Sequence, residues 1–199
     1  MKNLKIAFLS SHGGTNMQAI INACKEGKLA GEPCVVISNN PDSVALVRAK
    51  NEGIPRYYRS QKTHPDLDEL DSEILNILRE HSVNIIVLVG YMKKIGPKVL
   101  EGYKGRILNI HPALLPKYGG IGMYGAKVHE AVIANKEKVT GVTVHIIDEE
   151  YDNGPIINQC EVPVYDDDNT DTLSKRVLKK EHEIFIETLQ KISDGEIKL

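Results

Sequence analysis

The run Asn84–Gly90, Asn-Ile-Ile-Val-Leu-Val-Gly, limits the fold of this chain more than any other stretch. A strand turns successive side chains to opposite faces, and here both faces are apolar. Such a strand needs cover on both sides, which a parallel sheet with crossover helices supplies. The flanking sequence provides those helices. Asp66–His81 carries Leu67, Leu70, Ile74, Ile77 and Leu78 at helical spacing, which predicts an amphipathic helix just before the run.

The rest of the chain alternates in the same way. Lys5–Ser10 is a short apolar strand, followed by the turn Ser11-His12-Gly13-Gly14-Thr15-Asn16. A helix from about Asn16 places Met17, Ile20, Ile21 and Cys24 on one face. Cys34–Ser38 is the second strand. Asn40-Pro41 then predicts a helix with asparagine as cap and proline at its first position, closed by Gly53 and Pro55. Lys98–Tyr103 is a short helix, Ile107–Ile110 a strand and Ala126–Ala134 a helix. Val142–Ile147 and Ile156–Val164 are two further strands, expected to lie antiparallel at the edge, and Thr172–Ser193 is a long closing helix. This order predicts an α/β protein with an open, mostly parallel, Rossmann-like sheet and helices on both faces.

Composition excludes more than it selects. The 199 residues suit one domain able to bury a sizeable core. A formal net charge of −2 gives no bulk attraction for nucleic acid. No apolar run approaches membrane-spanning length, and Met1-Lys2-Asn3 leads into the first strand without a signal peptide. Cys24, Cys34 and Cys160 are odd in number and lack metal-ligand spacing, so they read as reduced residues of a cytoplasmic protein, and no metal is expected.

In open α/β sheets, ligands lie beyond the carboxyl ends of the strands. The candidate functional residues all fall there. Asn109 and His111, two apart in one strand, project from the same face, and Pro112 ends the strand. Leu114, Leu115 and Pro116 make an apolar turn, and Gly119-Gly120 is expected to loosen the chain after it. An amide can hold a developing oxyanion while an imidazole moves a proton, the minimum equipment for acyl transfer. Gly14, Thr15 and Asn16 open a helix with consecutive backbone amides, a place suited to a phosphate or simply a steep strand-to-helix turn. Gly90-Tyr91-Met92-Lys93-Lys94-Ile95 follows the central strand and could meet a flat heterocycle or remain a solvated loop. Thr143 and His145 form another same-face pair, beside the acidic loop Asp148–Asp152. A carboxylate of that loop is expected to orient His111 and favour its protonated form, and spacing alone does not choose between Asp148 and Asp152.

Taken together, these motifs are similar to the folate-dependent formyltransferase family. The resemblance rests on Gly14-Thr15-Asn16, Val87–Met92, Asn109-Ile110-His111-Pro112 with Leu114-Leu115-Pro116, Gly141–His145, Asp152–Pro155 and Glu181-His182. It implies the formyltransferase fold in a single domain, 1–199, with residues 1–106 as the phosphate-binding half and 107–199 as the catalytic and folate-binding half. It implies 10-formyltetrahydrofolate as co-substrate and glycinamide ribonucleotide as amine acceptor, in purine biosynthesis. Asn109, His111 and Asp152 correspond to the catalytic set. Gly14, Thr15, Asn16 and Glu181 correspond to acceptor contacts, the first three at the phosphate. Met92, Lys93, Lys94, Ile95, Asp148 and Asp152 correspond to the folate pocket. The partners expected are these small molecules alone, with no membrane and no nucleic acid, and the protein is expected as a monomer or homodimer.

The sequence departs from the family pattern at three places. Lys93 stands where many relatives have arginine, an arginine is missing near Leu67, and Ile121–Gly125 replaces a histidine-containing stretch. Two family branches share Asn-x-His. Methionyl-tRNA formyltransferase is expected to carry a further C-terminal domain and a basic surface. Formyltetrahydrofolate deformylase is expected to carry an N-terminal regulatory domain. A first strand at Lys5, an end at Leu199 and a negative net charge favour neither. A non-catalytic phosphate-binding module of flavodoxin-like shape is the remaining alternative, and it would leave Asn109, His111 and Asp152 without a task.

Overall fold

Strand β1 (Leu4–Ser10) is buried over nearly its whole length in the computed structural model, which describes residues 3–150 and 152–199. Met1, Lys2 and Tyr151 lie outside the described residues, and with them the sequence expectations that include them. β1 pairs in parallel with β2 (Gly31–Ser38) on one side and with β4 (Ile85–Leu88) on the other. β2 pairs in parallel with β3 (Arg56–Tyr58). Among the described residues seven strands run in the order β3-β2-β1-β4-β5-β6-β7, with β5 at Ile107–His111, β6 at Val139–Ile146 and β7 at Ile156–Pro163. β6 and β7 pair antiparallel and β7 is the edge strand, as the sequence predicts.

Among the described residues six helices complete the fold: α1 (Thr15–Lys25), α2 (Val44–Asn51), α3 (Leu67–Glu80), α4 (Pro97–Gly102), α5 (Ala126–Ala134) and α6 (Thr170–Asp194). α3 is capped as its sequence asks, because Asp66 accepts from the Asp68 and Glu69 amides. Ile74, Leu75, Ile77 and Leu78 form its buried face. Leu67 does not join them and is 63% exposed, since it is the first helical residue and falls outside the packed turns.

α2 begins later than the Asn40-Pro41 pair suggests. Ser43, with an extended backbone, accepts from the Leu46 amide and is the cap, while Asn40 closes a local turn by accepting from the Asp42 amide. Two polar residues that both suit turns and caps compete here, and Ser43 is the one followed by a continuous helical run. β3 was not expected, because Arg56–Tyr58 is too short and polar to show a strand period.

The chain forms two compact units. One comprises the chain up to Leu108 together with Gln190–Leu199, and the other Asn109–Leu189. In the first unit Phe8, Ile6, Leu9, Ile85, Met17, Ile20 and Leu78 are fully buried. The order β3-β2-β1-β4 places a topological switch between β1 and β4, the position at which open α/β sheets take their ligands. In the second unit Val142, Val144, Val128, Val132, Leu173 and Phe185 are fully buried. Among the described residues no helix is long and apolar enough to cross a membrane.

Candidate active site

Within the second unit, β5 delivers Asn109 and His111 to its carboxyl end, and Pro112 stops the strand there. His111 is 3% exposed, while Asn109 is half-buried. The turn that follows is held by a buried hydroxyl. Thr143 Oγ1 donates to the Ala113 carbonyl at 2.6 Å, and it accepts from the Leu115 amide at 3.0 Å and from Gln159 Nε2 at 2.8 Å. Gly119-Gly120 is tethered rather than loose. The Gly120 amide donates to Asp152 Oδ2 at 3.0 Å.

Asp152 joins two imidazoles. Its Oδ2 lies 3.5 Å from His111 Nδ1 and its Oδ1 lies 3.5 Å from His145 Nε2. His145 is fully buried, and its Nε2 lies 3.1 Å from Asn109 Nδ2. The proton positions follow from the partners. His111 Nε2 faces the Tyr118 carbonyl at 2.7 Å, which only accepts, so Nε2 carries the hydrogen. His145 Nδ1 faces the Ile146 carbonyl at 3.1 Å, so its hydrogen is on Nδ1 and its Nε2 accepts from the Asn109 amide. One N–H of Asn109 is thereby fixed, and the second is left to donate to a ligand oxygen.

Burial sets the charge state of His111. It pulls the imidazole below its ordinary value, outweighing the charge of Asp152 and the Tyr118 carbonyl, which push it up, while charge on His145 pulls it down. The sequence-based expectation of a protonated, upward-shifted His111 is therefore corrected. An opposite charge at 3.5 Å does not compensate for loss of solvent on a ring this deeply enclosed. Burial pushes the Asp152 carboxyl up, but the Gly120 amide and a proton on either neighbouring imidazole, His145 or His111, hold it below the usual range. The pair rests as a carboxylate beside a neutral imidazole, ready to accept one proton.

The first unit presents two turns at the β1–β4 switch. Gly14 sits in the left-handed region at φ 65° and caps α1 without a side chain. A Cβ at Gly14 would lie 3.0 Å from that of Ala45, so α2 leaves little room for a side chain there. Thr15 is exposed and Asn16 buried. Ser11 links this turn to the one after β4, since its Oγ accepts from the Met92 amide at 2.7 Å and its amide donates to the Gly90 carbonyl at 2.9 Å. Met92, Lys93 and Lys94 are exposed there, and Ile95 is buried.

The remaining sequence candidates are placed as follows. Asp148 is exposed and accepts from the Glu150 amide at 2.9 Å, with no contact to His111 or His145 among its hydrogen bonds. Glu181 is half-buried on α6. His145 was visible in the sequence as a same-face partner of Thr143, but its bond to Asn109 was not. His129 of α5 was missed. It is 5% exposed, its Nδ1 is unpartnered, and burial and the charge of His111 hold it below its ordinary value. No sequence signal marks it, because it interrupts the apolar spacing of α5. A cavity of about 450 Å³ in the first unit, lined by Ile21, Cys24, Cys34, Ile54, Pro55 and His81, contains none of the candidate residues. Among the described residues no group of three or more His, Cys, Asp and Glu is placed to hold a metal ion.

Comparison with known proteins places this geometry in context. A family model described as formyl transferase matches residues 4–189. Phosphoribosylglycinamide formyltransferase of Haemophilus influenzae is 38% identical over 195 residues, covering 98% of this chain and 90% of that protein. The chloroplastic phosphoribosylglycinamide formyltransferase of Arabidopsis thaliana is 37% identical over 195 residues, covering 98% of this chain and 67% of that protein. The crystal structure of phosphoribosylglycinamide formyltransferase from Bacillus halodurans superimposes with a TM-score of 0.89 at 36% identity, over 98% of each chain.

Proposed function

The chain belongs to the formyl transferase family, and we propose that it transfers the formyl group of 10-formyltetrahydrofolate to the amine of glycinamide ribonucleotide, a step of purine biosynthesis. The observation that carries this reading is the gathering of Asn109, His111 and Asp152 at the end of β5, in a chain 38% identical to the Haemophilus enzyme.

The residue types define a mechanism without a covalent enzyme intermediate. The acceptor amine attacks the formyl carbon, forming a C–N bond and a tetrahedral centre whose oxygen becomes negative. The free N–H of Asn109 donates to that oxygen. His111, neutral at rest, takes the proton released by the attacking nitrogen, and Asp152 stabilises the imidazolium as it forms. The same proton passes to N10 of the folate as the C–N10 bond breaks. His145 holds the Asn109 amide by one N–H and so fixes the orientation in which the other serves that oxygen.

Binding roles follow by unit. In the first unit we assign the acceptor's phosphate to Gly14, Thr15 and Asn16, supported by the uncapped α1 terminus, and the folate to Met92, Lys93, Lys94 and Ile95. In the second we assign Glu181 to the acceptor and Asp148 and Asp152 to the folate. We read the protein as cytoplasmic and as a monomer or homodimer, with no macromolecular substrate.

Incubation with 10-formyltetrahydrofolate, with and without glycinamide ribonucleotide, tests the proposal. Formyl loss only when the acceptor is present is the expected result. Equal loss without it would identify a deformylase and overturn the assignment.

A further inference from the structure

Asp71 interrupts the apolar face of α3 with a carboxylate that is 5% exposed. Its Oδ2 accepts from the Lys98 amide at 2.6 Å and its Oδ1 from the Val99 amide at 3.3 Å. These are first-turn amides of α4, which begins with Pro97 and whose cap, Gly96, offers no side chain. A helix of this length has no stability of its own, and its free amides need a partner. Asp71 is that partner, supplied by a different helix. The fit is tight, because a Cβ at residue 96 would overlap the Asp71 carboxyl group. Lys98 adds a second tie to α3, since its Nζ lies 2.6 Å from Asp68 Oδ2 and 2.7 Å from Ser72 Oγ.

The connection from β4 to α4 is thus clamped at both ends. At its start the Gly90 carbonyl and the Met92 amide are bound by Ser11, and at its end α4 is bound by Asp71. Tyr91 lies inside this frame. Burial, with the charge of Asp71, pushes its hydroxyl up to about 12, so it stays a neutral phenol. What remains free is Met92, Lys93 and Lys94, exposed as a short platform.

We propose that Asp71 is a positioning residue for the folate donor: through the first amides of α4 it sets the conformation in which Met92–Ile95 receives the ring. This rests on the folate reading above. Asp71 touches no substrate, and it acts on donor binding rather than on the transfer step.

The test compares Asp71→Ala, Asp71→Asn, Gly96→Ala and the double variant Asp71→Ala with Gly96→Ala, each checked for an intact fold by circular dichroism. Asp71→Ala should raise the donor KM and the Kd for tetrahydrofolate about tenfold, as for loss of hydrogen bonds to a charged group. The acceptor KM should stay unchanged and kcat nearly so. Asp71→Asn keeps one acceptor oxygen and should fall midway. Gly96→Ala should weaken donor binding by itself but add little to Asp71→Ala, because the group it strikes has gone. Amide exchange at Met92–Ile95, Lys98 and Val99 should quicken in Asp71→Ala, a readout independent of turnover. Donor KM and amide exchange both unchanged in folded variants, or donor and acceptor KM rising equally, would overturn the role of Asp71. A wild-type protein that binds no tetrahydrofolate would instead overturn the donor reading itself.

Discussion

At the scale of single residues, His111 and Asn109 carry separable tasks. His111→Ala removes the proton carrier and should lower turnover at least ~100-fold in a folded protein. Asn109→Leu removes one oxyanion donor and should cost on the order of 100–1000-fold. Steady-state kinetics on the purified variants decides both, and near-normal turnover in either would remove that residue from the mechanism. The protonation state adds a sharper check. Because burial lowers the His111 value, kcat/KM should lose activity in acid with an apparent pKa below about 6.5. Asp152→Asn deletes a charge that pushes this value up, so the acid limb should move still lower. A limb that stays in place in Asp152→Asn would separate the carboxylate from the imidazole.

At the scale of elements, Thr143 connects β6 to the turn after β5. Thr143→Val would leave the Leu115 amide and the Gln159 side chain without their buried acceptor, costing roughly 2–4 kcal/mol, whereas Thr143→Ser should cost far less. Urea denaturation measures this directly. The α1 turn is tested by its proposed ligand. Thr15→Val with Asn16→Leu should weaken glycinamide ribonucleotide and leave the poor rate of the phosphate-free riboside nearly unchanged, whereas equal losses with both acceptors would make the turn a structural corner.

Elements were legible in the sequence wherever a single period ran unopposed. Asn84–Gly90 declared a buried strand, and Asp66–His81 matched α3 with both its caps. The misreadings arose where local rules conflicted or fell silent, at Asn40 against Ser43 and at the short polar β3. In the candidate site, the same-face placement of Asn109 and His111 came from the strand period, and the choice of Asp152 over Asp148 came from motif resemblance. The bond from His145 to Asn109 and the burial that lowers His111 depend on contacts distant in sequence, which no local pattern encodes.

At the scale of the whole molecule, three imidazoles, His111, His129 and His182, are held below their ordinary value, with burial the first cause in each. A lowered folded-state value means that the unfolded chain takes up protons first as the pH falls. The stability these rings contribute is complete above about pH 6.5 and is lost as the pH drops through their folded-state values. The urea midpoint should therefore decline between about pH 7.5 and about pH 5, and His129→Gln should flatten that decline. A pH-independent midpoint would mean that these rings are solvated.

The assignment of Gln190–Leu199 to the first unit has a consequence for the order of synthesis. The Ala30 amide donates to Gln190 Oε1, and Ser193 Oγ donates to the Ala30 carbonyl. A ribosome delivers the second unit whole before it releases these last residues. The first unit is thus completed by residues made after Asn109–Leu189. Chains truncated after Leu189 should therefore keep protease resistance in Asn109–Leu189 and lose it in the earlier unit, and equal resistance in both units would show that Gln190–Leu199 is dispensable.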